Sequence, residues 1–139
     1  MTEIFMLAVL GHFVGDYLLQ SKWMALTKSK PGAEGLLACT VHVAIYTWAV
    51  LMFVGPKMGP VTANIPYGLA VVPLVVFVPH WIIDRWSLAT YWLRLIGGRT
   101  FEDARDPWDI AFTALVYTVV DNTMHVLCLY WGFLILVNV

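Results

Sequence analysis

Ile110–Val137 reads IAFTALVYTVVDNTMHVLCLYWGFLILV, 28 residues in which Asp121 and His125 are the only aspartate and histidine and no lysine, arginine, glutamate or proline occurs. About 20 predominantly apolar residues suffice for a helix to cross the hydrocarbon of a bilayer. The run is therefore long enough to span. Its start carries helix punctuation: in Asp106-Pro107-Trp108-Asp109, an N-cap carboxylate is followed by a first-turn proline and an acidic first turn. Working outward, three more apolar segments occur, at about 4–20, 36–54 and 67–83, the last continuing to about 96 if no break intervenes. Strands are excluded by length and number, because a membrane barrel closes with at least eight. The expected fold is an all-α integral membrane four-helix bundle, with an amphipathic or extended cytoplasmic helical segment after the third span.

Composition agrees. Of 139 residues 60% are hydrophobic and 12% charged, against about 25% charged in soluble domains. A soluble fold this small buries only about two-thirds of its surface and has no place for the excess apolar area. The length suits one helical domain over 1–139. A net charge of -1 excludes a strongly basic nucleic-acid binder on composition. Cys39 and Cys128 lie in apolar runs, without the spacing of a disulfide framework or a zinc knuckle. The start, Met1-Thr2-Glu3, lacks the basic region of a signal peptide, so the first apolar segment is expected to remain in the mature protein.

Charge in the connections sets an expected orientation. Lys22, Lys28 and Lys30 follow segment one; Arg85, Arg94, Arg99 and Arg105 lie between segments three and four; Gly55-Pro56-Lys57-Met58-Gly59-Pro60 reads as a loop holding the eighth basic residue. The positive-inside rule puts the first two groups in the cytoplasm and both termini in the periplasm of a bacterial inner membrane. Trp23, Trp86, Trp92 and Trp108 cluster near the same basic connections, as an interfacial aromatic belt does. Gly97-Gly98 reads as a helix stop. Without a breaker between Asp84 and Leu88, the third helix is expected to run on past Arg85.

Seven ionisable side chains stand inside the apolar segments: His12, Asp16, His42, His80, Asp84, Asp121 and His125. They include all four histidines of the chain. Such groups cost several kcal/mol each in hydrocarbon and mark function by default. Their spacing is regular. His12-x-x-x-Asp16 and His80-x-x-x-Asp84 repeat one pattern, and Asp121-x-x-x-His125 reverses it. Residues four apart share a helix face, and reversal on an antiparallel helix restores the same order in space. The three pairs are thus expected side by side, with His42 near their layer.

Imidazole and carboxylate together form a ligand set for zinc, iron or manganese. Seven such groups suit two metals, or one metal with outer carboxylates that orient the histidines. A divalent metal, zinc first, would neutralise the carboxylates at that depth and supply an activated water, with Asp84 or Asp121 as general base. Two other readings use the same residues: a proton or ion relay in a transporter, and a purely structural network joining the helices.

Gly11-His12-Phe13-Val14-Gly15-Asp16-Tyr17-Leu18-Leu19-Gln20 resembles the opening motif, His-x-x-x-Asp-x-x-Leu-Gln, of a small bacterial and phage membrane family catalogued as domain of unknown function 3307. Lys22, His42 and His80-Trp81-Ile82-Ile83-Asp84 fit the same pattern, as does the closing Asp121-Asn122-Thr123-Met124-His125. Asn122 stands where the family has glutamine, and the basic residue that usually follows at a few positions is here the adjacent Arg85. The resemblance covers essentially the whole chain. The pattern is also similar to membrane-bound metal-dependent hydrolases, and through them to zinc phosphodiesterases of the phospholipase C type. That likeness implies a metal-dependent hydrolase acting on a phosphoester or lipid-like substrate. Composition makes the bilayer the expected partner, and the small size of the bundle is compatible with a homo-oligomer.

Overall fold

The computed structural model describes residues 2–62 and 68–138, and every element among them is helical. Helix α1 (Thr2–Phe13) runs directly into a π-helical turn (Val14–Leu18). A short α2 (Lys22–Thr27) precedes the long α3 (Ala33–Thr62). Then come α4 (Gly68–Arg85), α5 (Leu88–Leu95) and α6 (Pro107–Asn138). The start proposed for the third apolar segment, Tyr67, lies outside the described residues.

Among the described residues, two helices are long and apolar enough to cross a membrane: α3 over Ala33–Gly59 and α6 over Pro107–Leu136. The bent pair α4 and α5 makes a third if taken as one span. This is consistent with a membrane protein. The first apolar segment is shorter, because α1 and the π turn together cover Thr2–Leu18, just under the roughly 20 residues of a full crossing.

The local signals for α6 are realised. Asp106 Oδ1 accepts the backbone N–H groups of Trp108 and Asp109, each at 2.9 Å. Pro107 takes the first helical position, where an N–H would be unpaired anyway. Gly98 has φ 55 just beyond the end of α5, a conformation glycine adopts freely.

Two expectations of the chain path are corrected. Gly55-Pro56-Lys57-Met58-Gly59-Pro60 reads as a loop but belongs to α3. Tyr46, Val50, Val54 and Met58 recur every four residues, and all are buried in one apolar cluster. Keeping that stripe packed requires helix through Pro56, and Lys57 is held by Glu3 of α1 at 2.8 Å. The third helix, in turn, does not run on past Arg85. Ser87 adopts a left-handed conformation (φ 47), and α4 and α5 meet at a 54° bend. After the bend Ala89 and Leu93, four apart, are buried where α5 packs on α6. A straight continuation would carry that face away from the body of the protein.

Helix α1 packs on α3 and α6, and α4 lies against α3 and α6. The α1–α3 approach is close because Gly11 and Gly15 face α3. A Cβ on Gly11 would come 2.7 Å from Val50 Cα, and one on Gly15 would come 3.0 Å from Tyr46 Cα. Small residues four apart allow backbones this near in lipid, where packing rather than the hydrophobic effect holds helices together. The apolar cluster, including Ile4, Ala8, Val50, Val54, Val72 and Phe133, fills one end of the molecule. The polar side chains gather next to it, toward α2 and the α4–α5 bend.

Candidate metal centre

Five elements supply the site. His12 ends α1, and Asp16 lies in the π turn, where Leu19 N–H donates to the Val14 carbonyl five residues back at 3.0 Å. Such π segments recur at functional sites because the wider turn re-aims a side chain. His42 comes from α3, His80 and Asp84 from successive turns of α4, and Asp121 and His125 from α6. The four imidazoles and the Asp84 carboxyl are buried, while Asp16 and Asp121 are partly buried.

The ring nitrogens and carboxylate oxygens converge. His42 Nε2 and His80 Nε2 are 3.2 Å apart. Asp16 Oδ1 is 3.3 Å from the first and 3.4 Å from the second. On the other side of the same edge, Asp84 Oδ2 is 3.1 Å from each. A tetrahedral zinc with bonds near 2.0–2.1 Å has ligand–ligand edges of roughly 3.3 Å. The triangle of Asp16, His42 and His80 has the size of one face of that polyhedron. Asp16 Oδ1 is buried without a hydrogen-bond partner among the described residues despite this crowding.

A second trio, His80, Asp84 and His125, places its donor atoms within 4.8 Å of one another. His125 Nδ1 donates to the Asp121 carbonyl at 2.8 Å. That bond puts the proton on Nδ1 and leaves the Nε2 lone pair free, 3.7 Å from Asp84 Oδ1. Asp84 therefore faces both trios, with Oδ2 toward His42 and His80 and Oδ1 toward His125.

His12 and Asp121 fall outside both trios. His12 Nδ1 lies 3.2 Å from both Asp16 Oδ2 and the Tyr46 hydroxyl, and its Nε2 donates to Asn122 Oδ1 at 2.9 Å. Its Nδ1 thus lies against the oxygen of Asp16 that does not face His42. Asp121 Oδ2 is 3.7 Å from His125 Nδ1, and its Oδ1 is buried with no hydrogen-bond partner among the described residues. Asp121 also borders a cavity of about 190 Å³ walled by Asp16, Gln20, Lys28, Tyr117 and Asn122. Through this cavity Asp16 and Asp121 meet the surroundings of the site.

Sequence reasoning missed three contributors. Lys28 counted only as a loop charge, yet its Nζ lies 2.8 Å from Asp84 Oδ2. Burial alone would lower the Lys28 pKa, but the facing carboxylates, Asp84 foremost with Asp16 and Asp121, together outweigh it and the value is raised. Arg85, adjacent in sequence to Asp84, instead donates to the Ser29 carbonyl at 3.2 Å. Tyr46 stacks on His80 with ring centroids 3.7 Å apart, and Tyr117 lines the cavity. The two tyrosines had a signal: Tyr46 is four residues after His42, and Tyr117 four before Asp121. Gln20, four after Asp16, donates to His42 at 3.3 Å on the same pattern. Lys28 had none, because it belongs to no apolar helix.

Helices fit to cross a bilayer, together with a buried His/Asp cluster that could hold a metal ion, define a helical membrane protein with an internal polar centre. The chain belongs to the family described as protein of unknown function, DUF3307, whose model matches residues 4–138. No curated protein and no solved structure matches it.

Proposed function

We propose that the protein is a membrane-embedded, metal-dependent hydrolase acting on an amphiphilic phosphoester. The observation that carries this is the triangle of Asp16 Oδ1, His42 Nε2 and His80 Nε2, with edges of 3.2–3.4 Å around an orphaned carboxylate oxygen. A neutral histidine has one N–H, so crowded ring nitrogens and carboxylates cannot all be satisfied by hydrogen bonds, and a dication satisfies them together. Asp16, His42, His80, Asp84 and His125 are the ligand set, and zinc suits its nitrogen and oxygen donors. His12 orients Asp16. A bound dication supplies an acidified water. Asp121, whose free Oδ1 lies beside the cavity, accepts the proton.

A lipid-like substrate is favoured by the surroundings. An apolar groove of about 460 Å³ between Phe13 and α6 shares Tyr17, Thr118 and Asn122 with the polar cavity. An acyl chain in the groove would bring its headgroup to Lys28 and the carboxylates. The relay reading is disfavoured by the apolar cluster of Val50, Val54, Val72 and Phe133 beside the histidines, which offers a proton no polar group to pass through. In this reading α1 with the π turn makes a fourth crossing of a bacterial inner membrane, the basic connections face the cytoplasm and both termini the periplasm.

Elemental analysis of the detergent-purified protein tests the metal, with one to two zinc equivalents expected for the wild type and a loss in His80→Ala. Release of headgroup phosphate from phospholipid in mixed micelles tests the reaction. A wild-type protein that takes up no transition metal on titration, together with a His80→Ala variant of unchanged thermal stability, overturns the reading.

A further inference from the structure

A second feature lies outside the His/Asp centre and does not depend on it. At the α4–α5 bend a cleft of about 470 Å³ opens between the α2–α3 connection and α5. Arg85 and Arg94 line it, with the hydroxyl-bearing Ser29, Ser87 and Thr90 and the ring of Tyr91. No aspartate or glutamate is among its walls, and among the described residues neither arginine pairs with a carboxylate. Three cations have close carboxylate partners, Lys28 with Asp84, Lys57 with Glu3 and Arg99 with Asp109, and of the cations without one among the described residues only Arg85 and Arg94 share a concavity. Arg85 and Arg94 are thus cations left without a counter-charge in a shared concavity.

Arg85 is braced rather than free, because its Nη1 donates to the Ser29 carbonyl across the cleft mouth. Trp86, also in the wall, is fixed edge-on against Trp81 with centroids 5.9 Å apart. The left-handed Ser87 makes no side-chain capping bond at the start of α5, so its hydroxyl remains available. Beyond the cleft, α5 buries Ala89 and Leu93 and exposes Tyr91, Trp92, Leu95 and Ile96. A short helix turned 54° from the preceding span, with aromatics exposed, has the character of an interfacial segment. Phospholipid phosphates lie at that level of a bilayer.

We propose that this cleft binds the headgroup phosphate of an anionic phospholipid. The Arg85 and Arg94 guanidinium groups supply forked, charge-assisted donors, and the serine and threonine hydroxyls supply neutral ones. The apolar face of α5 lies beside the acyl chains. Basic pockets beside membrane helices recognise anionic lipid headgroups in this manner. Any phosphate monoester or diester shares the chemistry; the exposed apolar residues flanking the cleft favour the lipid source.

The test uses the full chain in nanodiscs of phosphatidylcholine doped with phosphatidylglycerol, with lipid retention read by native mass spectrometry after release. Wild type is expected to keep about one phosphatidylglycerol per chain in preference to phosphatidylcholine. Arg94→Gln alters an exposed side chain and leaves the fold intact, so it is expected to reduce that retention at least about fivefold at unchanged thermal midpoint; Arg85→Gln is expected to do the same. Excess inorganic phosphate should not displace the lipid. Equal retention of both lipids, full retention in both variants, or displacement by inorganic phosphate alone each overturns the proposal. None of these readouts involves metal content or hydrolysis, so the outcome is independent of the proposed activity.

Discussion

Lys28 Nζ sits 2.8 Å from Asp84 Oδ2, the same oxygen that lies 3.1 Å from His42 and from His80. The lysine therefore brings a positive charge to the edge of the candidate metal position. Removing one partner of a buried ion pair leaves the other charge uncompensated, at a cost of roughly 3–5 kcal/mol when both are fully buried. Lys28 keeps some solvent contact, with its side chain 14% exposed, so a smaller loss is expected here. Lys28→Met should lower the thermal midpoint of chelator-treated protein more than that of zinc-loaded protein, because the dication takes over the neutralisation of Asp84. Scanning calorimetry of the two forms checks this, and an equal drop in both counts against it.

His12 and His80 should separate in their effects. His80 lies in both ligand trios, so His80→Ala is expected to abolish stoichiometric metal. His12 reaches the centre only through Asp16, at 3.2 Å. Loss of a group that orients a ligand typically weakens metal binding roughly 10–100-fold. His12→Ala should show that partial loss in a competition titration with a chromophoric chelator. Equal losses in the two variants would make His12 a direct ligand.

Asp121 should report on chemistry rather than on metal. Its Oδ1 is unpaired beside the cavity, while its backbone carbonyl holds His125. Asp121→Asn keeps the carbonyl and the side-chain shape. Metal content is expected to stay at the wild-type level, while turnover of a phosphoester falls by roughly 10²–10⁴, the range for a lost general base. Loss of metal in this variant would instead place Asp121 among the ligands.

Two glycines should respond in opposite directions to the same change. A Cβ on Gly15 would meet Tyr46, at 2.7 Å from Cδ2 and 3.0 Å from Cα. Tyr46 is itself wedged against His80, so it has little room to yield, and Gly15→Ala should cost about 1–3 kcal/mol and displace Asp16. Gly55, inside α3, has nothing within 4 Å of a Cβ. Gly55→Ala should be neutral or stabilising by up to about 1 kcal/mol, the helix-propensity gain. Thermal unfolding of both variants in one detergent makes the comparison.

The pairs at i,i+4 were legible because a helix turns at 3.6 residues whatever surrounds it. His12 with Asp16, His80 with Asp84 and Asp121 with His125 needed no tertiary information to be placed on common faces. The same rule applied further would have added Tyr46 and Tyr117. The ends of the helices were less legible. Pro56 is a breaker by local propensity, yet the buried stripe Tyr46, Val50, Val54 and Met58 keeps α3 helical through it. Nothing in Arg85-Trp86-Ser87-Leu88 signals a break, yet the chain bends there so that Ala89 and Leu93 are buried.

By itself, then, the sequence determined that this chain is built from apolar helices suited to lipid and that its histidines and aspartates share helix faces. Both follow from local quantities, hydropathy and the helical repeat, that do not depend on what a helix packs against. Only the tertiary structure decided which oxygens meet which nitrogens: that Asp16 turns Oδ1 toward His42 and His80 and Oδ2 toward His12, that Asp84 looks both ways, and that Lys28 reaches in to pair with it. Apart from His12 with Asp16, those contacts join residues far apart in the chain. They are set by the close approach of α1 to α3 at Gly11 and Gly15 and by the bend after α4, which are properties of the packed helices together.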